Sequence, residues 1–173
     1  SAAASFGGVY VFTRLLPAAD YGRYALMLSV MAVIHTLTLT WAEAGMYRFT
    51  ARAEAAKALP AHYRRGTGLM LRSIVLAWLL CGAVWIAVRD MPGYAAIMPW
   101  LMVVLPLNTV VQRALEAHRA GQRVGRVAAV QTFRLLFGFA LGALLAWRTG
   151  RGAAAPFAGL AAAALVTAIS ECI

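Results

Sequence analysis

The chain is short of charge, and shortest of acid. Only 13% of its 173 residues are Asp, Glu, Lys or Arg, and six are acidic. A water-soluble domain usually carries about 25% charge. Cysteine is scarce too. Cys81 lies inside an apolar run and Cys172 near the end of another, so there is neither a disulfide framework nor a metal-binding spacing, and both read as small apolar side chains. No nucleophile elbow, Walker loop or H-E-x-x-H occurs. Catalysis therefore has no support, and neither metal nor cofactor is expected. The n-region and cleavage site of a signal peptide are missing. No polar stretch is long enough to read as a second, soluble domain. The net charge of +10 would point to nucleic acid in a soluble protein, but zinc-finger spacing and RNA-binding aromatic signatures are absent. The basic residues sit mainly between apolar runs, which makes anionic membrane lipids the expected partner.

What fills the chain is apolar sequence. Hydrophobic residues make up 62% and the mean hydropathy is +0.73. The runs are too long for the core helices of a soluble domain and point to a bilayer as solvent. They predict an all-α, polytopic transmembrane helix bundle with spans at about residues 1–16, 25–49, 69–88, 91–111, 127–147 and 153–173. Most are near the roughly 20 residues that a hydrocarbon core of about 30 Å requires. A membrane β-barrel would alternate apolar and polar residues in segments of about ten, whereas these runs are apolar on all faces. The first run begins at Ser1 and is too short to span alone. The expectation is a single transmembrane domain over residues 1–173, its first helix truncated, forming the N-terminal half of a longer protein.

Basic residues set the expected orientation. Connections 2–3 and 4–5 carry ten: Arg48, Arg52, Lys57, Arg64, Arg65, Arg72, Arg113, Arg119, Arg123 and Arg126. Connections 1–2, 3–4 and 5–6 carry five: Arg14, Arg23, Arg89, Arg148 and Arg151. The loops near residues 50–68 and 112–126 are thus expected in the cytoplasm. The outer loops, about 17–23, 89–93 and 148–152, are short. Residues 112–126 have helix-compatible spacing, with Arg119, Arg123 and Arg126 on one face.

Gly138 and Gly142 on the fifth span, and Gly159 and Ala163 on the sixth, are small residues one turn apart, which let helix backbones approach closely. Pro99 and Pro106 on the fourth span each remove a backbone hydrogen bond and tend to kink the helix.

An ionised residue inside a span costs about 2.5–3.5 kcal/mol at the helix centre. Two stand out. Glu43 lies about 9 Å from the inner end of span two and Arg134 about 10 Å from that of span five, at 1.5 Å per residue. At matching depths they pair with each other, or both face a hydrated cavity. Arg48 and Arg72 lie nearer the inner surface and can join them. A planar, permanently charged guanidinium suits a phosphate or sugar acid. His35, mid-span, reads as hydrogen-bonded to a neighbour, and His62 and His118 as solvated. Asp20 and Asp90 sit in outer loops too short to build a substrate site.

Two motifs carry a family resemblance. Arg14-Leu15-Leu16-Pro17 followed by Asp20-Tyr21-Gly22-Arg23-Tyr24-Ala25-Leu26 is similar to "R-x-L-x-P-x-x-[FY]-G-x-Y" at the exit of the first helix of bacterial polysaccharide and O-antigen flippases. Ala42-Glu43-Ala44-Gly45-Met46-Tyr47-Arg48-Phe49 is similar to that family's "D-x-G-L-x-R", with Glu43 for the more usual Asp and Met46 for Leu. The resemblance covers about a third of the chain. It implies one lobe of a two-lobe exporter in the superfamily of the lipid II flippases and the multidrug antiporters. It also implies alternating-access transfer of undecaprenyl-pyrophosphate-linked oligosaccharide across the bacterial inner membrane, for O-antigen, lipopolysaccharide or other surface polysaccharide biosynthesis. A polysaccharide polymerase and a chain-length regulator are the implied partners. Glu43 and Arg48 carry over by motif, whereas Arg72 and Arg134 rest on position alone. The competing readings are an organic-cation antiporter of the same superfamily, which would need cavity acids, and a non-transport membrane partner of a polysaccharide synthase.

Overall fold

The computed structural model describes residues 2–120, 122–150 and 152–172. Arg151, counted above with the outer basic residues, and the side chain of Cys172 lie outside that description. Among the described residues seven helices follow one another: α1 (Ala2–Leu15), α2 (Ala18–Thr38), α3 (Thr40–Ala55), α4 (Leu59–Val88), α5 (Met98–Ala120), α6 (Val124–Thr149) and α7 (Ala154–Cys172). Among the described residues there is no strand. The chain is all-α, as its unbroken apolar runs require.

Among the described residues three helices, α4, α6 and α7, are long and apolar enough to cross a membrane; α2 and α3 make a fourth if that bent pair is one span. Leu79, Ile86, Leu37 and Trp147 are each more than 60% exposed, the reverse of a water-soluble surface. In the most apolar stretches of α4 and α6 only 17% of residues are buried, against 61% in α7. α4 and α6 therefore turn oily faces outward, while α7 is wrapped by its neighbours, chiefly α6 and α5.

Small residues make that wrapping possible. A Cβ on Gly159 would stand 2.5 Å from both the Gly138 carbonyl oxygen and the Gly142 nitrogen, so α6 and α7 touch backbone to backbone. Ala163 closes on Gly138 and Pro156 on Gly142. Beside this seam an aromatic cluster ties α1, α2, α6 and α7. The Phe12 ring lies 5.5 Å from Tyr24 and 5.9 Å from Phe139, and Tyr24 lies 5.4 Å from Phe157.

The connections gather at two ends. At one, Arg23 Nη1 donates to Asp20 Oδ1 at 2.7 Å. The Arg23 side chain lies against Gly93, and the Asp20 carboxylate against Gly152. Both glycines hold a left-handed φ, +88° and +50°. One ion pair thus braces the α1–α2, α4–α5 and α6–α7 connections together. At the opposite end Thr50 Oγ1 and His62 Nε2 meet at 3.2 Å across the α3–α4 turn. Glu171 of α7 accepts from Arg126 of α6 at 3.3 Å and contacts His118 of α5.

Four sequence expectations need correction. Residues 25–49 do not form one straight span: the helix breaks at Leu39 and turns by 49°. Neither Gly nor Pro is there, but Thr38 Oγ1 donates back to the Ile34 carbonyl at 2.7 Å, with Thr40 Oγ1 3.5 Å from that of His35. Threonines that bond back in this way bend helices. The fourth span is not helical from residue 91; turns run to Ile97 and α5 starts at Met98, because Gly93 takes up its left-handed φ within the uncharged stretch. Pro99 consequently sits in the first turn, where a missing N–H has no partner to lose, and only Pro106 lies inside the helix. Finally, residues 112–126 are two helices, not one. α5 ends at Ala120, Gln122 has φ +55° and α6 starts at Val124. His62 and His118 also differ from expectation, being packed against Thr50 and Glu171.

The internal proline has a counterpart. Pro106 has no N–H to return to the Met102 carbonyl four residues back. Trp78 Nε1 of α4 donates to that carbonyl instead, at 2.9 Å.

Candidate functional site: two grooves

Arg134 opens onto the larger of two grooves, about 820 Å³ in volume, between α2, α5 and α6. Its walls are mostly apolar: Leu28 and Met31 from α2, Val104 from α5, and Leu135 and Phe139 from α6. The polar groups are few. Arg134 Nη1 donates to Asn108 Oδ1 at 3.1 Å, and Gln131, Thr132 and Tyr24 lie along the same walls. A guanidinium has five N–H donors, and Asn108 occupies one. Among the described residues no carboxylate forms an ion pair with Arg134. A half-buried cation in an apolar cleft, with one neutral hydrogen-bond partner and no counter-ion, is suited to receive an anion.

Geometry positions Arg134 as its sequence position suggests. α6 meets α7 through Gly138 and Gly142, and Arg134 stands one turn before Gly138, toward the end where α6 begins. Asn108 follows Pro106 on α5, where the helix has already given up one internal bond. Nothing in the sequence marks Asn108 as the partner, since an uncharged amide in an apolar run carries no depth signal.

Glu43 is not Arg134's partner. Its Oε1 lies 3.2 Å from His35 Nε2, at a direction too poor for a hydrogen bond, so that buried oxygen has no hydrogen-bond partner. His35 Nδ1 also lies 3.4 Å from Thr40 Oγ1. His35, Thr40 and Glu43 thus bridge the bend at Leu39. The pair was hidden in the sequence because eight residues on a straight helix do not place two side chains together as this bend does.

Arg48 is exposed, its guanidinium 6.0 Å from the Phe49 ring centroid. Arg72 lines the second groove, about 720 Å³ between α3 and α4, with His62, Arg64 and Arg65. The four residues singled out from the sequence, Glu43, Arg48, Arg72 and Arg134, therefore fall at separate places, and only Arg134 reaches the larger groove. Among the described residues no three His, Cys, Asp or Glu side chains are placed to hold a metal ion. No family model, curated protein or solved structure matches this chain.

Proposed function

We propose that the chain is one lobe of a bacterial inner-membrane transporter that flips an anionic lipid-linked oligosaccharide, of the undecaprenyl-pyrophosphate type, for surface polysaccharide biosynthesis. The observation that carries this reading is Arg134 facing an apolar-walled groove with no acidic counter-ion among the described residues. A lipid-linked sugar phosphate offers what such a groove lacks: an anionic head beside a hydrocarbon tail. Among the described residues no carboxylate lines the groove, which argues against an organic cation as cargo. The motifs at Arg14–Leu26 and Ala42–Phe49 support the same family reading.

In this reading all six apolar runs cross the bilayer, α2 and α3 as one bent span. Connections 1–2, 3–4 and 5–6 already gather at one end around Asp20, and the α3–α4 and α5–α6 turns lie at the other. The end rich in Arg faces the cytoplasm by the positive-inside rule. The groove runs along the bundle from Ala128 to Tyr24, and its polar side chains Gln131 and Thr132 lie on the half of α6 nearest that end, toward the leaflet where the cargo is made.

The test is substitution at the native locus, scored by surface polysaccharide at matched membrane protein levels. A charge-assisted hydrogen bond contributes about 1.5–3 kcal/mol, so Arg134→Ala lowers flipping roughly 10- to 150-fold. Arg134→Lys retains part of the activity, because an ammonium keeps the charge without the fork. Wild-type polysaccharide levels in Arg134→Ala refute the assignment.

A further inference from the structure

The second groove has a different character from the first. α3 and α4 run antiparallel as a hairpin, touching at Thr50–His62 and again one turn along, where Gly66 has no room for a side chain beside the Met46 thioether. Beyond these contacts the helices frame a groove of about 720 Å³. One wall carries Arg65, Gly68, Leu69 and Arg72, spaced i, i+3, i+4 and i+7 on a single face of α4. The other carries Trp41, Gly45 and Phe49, four residues apart on α3. Trp41 and Phe49 are each at least half exposed. A Cβ on Gly68 would meet nothing within 4 Å, so the groove is open there.

Its charge is of one sign. Arg64, Arg65 and Arg72 line it with no carboxylate among them, and none of the three is in an ion pair among the described residues. The chain has few acids to offer. Asp20, Glu43, Asp90, Glu116 and Glu171 are each engaged elsewhere, and the sixth, Glu54, is not on the groove wall. Among the described residues no acid reaches these three arginines, which leaves them open to an anion from outside the chain.

Depth says what kind. α4 is 30 residues long, and about 20 residues cross a hydrocarbon core. If residues 69–88 fill that core, Arg64 and Arg65 stand about 6–8 Å beyond its edge, at headgroup level, and Arg72 about 5 Å inside, within snorkelling reach. On α3, by the register of Thr50 with His62 and Met46 with Gly66, Trp41 stands level with Arg72 just inside that edge, and Phe49 about 12 Å farther out, beside the arginine pair at headgroup level, a zone where aromatic side chains gather. Cations at headgroup level, with Trp41 and Leu69 below them at the edge of the core, match one molecule part by part.

We propose that the α3–α4 groove is a binding site for an anionic phospholipid of the surrounding bilayer. Its phosphate is held by Arg64, Arg65 and Arg72, and the upper part of an acyl chain lies against Trp41 and Leu69. The site rests on membrane insertion but not on the cargo assigned to Arg134.

Trp41 supplies the readout. The purified chain is reconstituted in phosphatidylcholine vesicles containing a minor fraction of lipid brominated on its acyl chains, either phosphatidylglycerol or phosphatidylcholine. Trp41 quenching is taken as the difference between wild type and Trp41→Phe. Each Arg near the surface contributes about fivefold to anionic-lipid affinity, so at least a tenfold preference for phosphatidylglycerol is expected at Trp41. The preference falls to near unity in Arg64→Gln/Arg65→Gln/Arg72→Gln. Gly68→Glu, which leaves every arginine in place and sets a carboxylate in the open mouth, abolishes it as well. Arg52→Gln/Lys57→Gln, on the same turn but outside the groove, leaves it within twofold. Equal quenching by the two lipids, or equal loss in the Arg52/Lys57 control, overturns the site. If glycerophosphoglycerol without acyl chains displaces the lipid at equal concentration, the groove is a soluble-phosphate site and the lipid assignment is wrong.

Discussion

Replacing Trp78 by Phe tests whether the indole caps the carbonyl that Pro106 leaves free. Trp78 Nε1 donates to the Met102 carbonyl at 2.9 Å, and the ring is about half exposed, on a face that lipid rather than water covers in the proposed membrane bundle. In Trp78→Phe that carbonyl loses its donor with no water to replace it. An unsatisfied buried acceptor costs about 1–3 kcal/mol, while interhelical hydrogen bonds in membranes have measured at about 0.6 kcal/mol on average and about 1.7 at most. The expected loss is therefore about 1–2 kcal/mol. Pro106→Ala restores an N–H four residues after Met102, so the carbonyl regains an intrahelical donor. In that background Trp78→Phe should cost only the lost ring area, under about 1 kcal/mol. The double-mutant cycle should show a coupling of about 1 kcal/mol, read from reversible unfolding in mixed detergent micelles. Equal costs of Trp78→Phe in both backgrounds would refute the capping argument.

Other consequences can be checked with the same apparatus. Gly159→Leu should destabilise the α6–α7 seam by at least about 3 kcal/mol, because the obstructing atoms are backbone and cannot turn aside. Gly82→Ala, whose Cβ meets nothing within 4 Å, should be neutral or stabilising by up to about 1 kcal/mol; a thermal melt that ranks the two alike would contradict the packing. Glu171→Gln should cost about 1–3 kcal/mol. This is less than the loss for a fully buried pair, because Arg126 is half exposed even though the Glu171 side chain is only 5% exposed. Unchanged unfolding in Glu171→Gln would show that the α5–α6–α7 tie contributes nothing. In a Cys172→Ser background, Cys81, fully buried, should resist maleimide until the helices are separated by dodecyl sulfate. Rapid labelling of the native chain would place that face of α4 outward.

Where the sequence was informative, the signal was a contrast between oil and charge. α4, α6 and α7 lie where uncharged runs stand between arginines, and the small pairs at Gly138–Gly142 and Gly159–Ala163 lie at a real close approach. Arg134 was conspicuous for the same reason, as a charge with no right to its depth. Features without such contrast stayed hidden. A turn through Gly93 and a helix starting at Met98 are equally apolar, so the beginning of α5 could not be read. The bend at Leu39 comes from threonine hydroxyls finding carbonyls, a preference too weak to announce itself without Gly or Pro. With the bend hidden, so is the His35–Glu43 bridge, and matching depths do not reveal that Arg134 lines the larger groove while Glu43 lines neither. Depth along a helix places a residue in one dimension only; which neighbour it faces depends on how the helices rotate against one another.

The alanine-rich α7 sits innermost, yet it is translated after the two helices that enclose it. α5 and α6 meet chiefly through α7, so a ribosome that has delivered residues up to about 150 leaves two helices flanking an unfilled slot. Only a rod as slim as α7 fits there, since bulk at Gly159 would strike peptide groups. The slot between α5 and α6 therefore closes only when α7 has followed them, and until then the faces that α7 covers stay open.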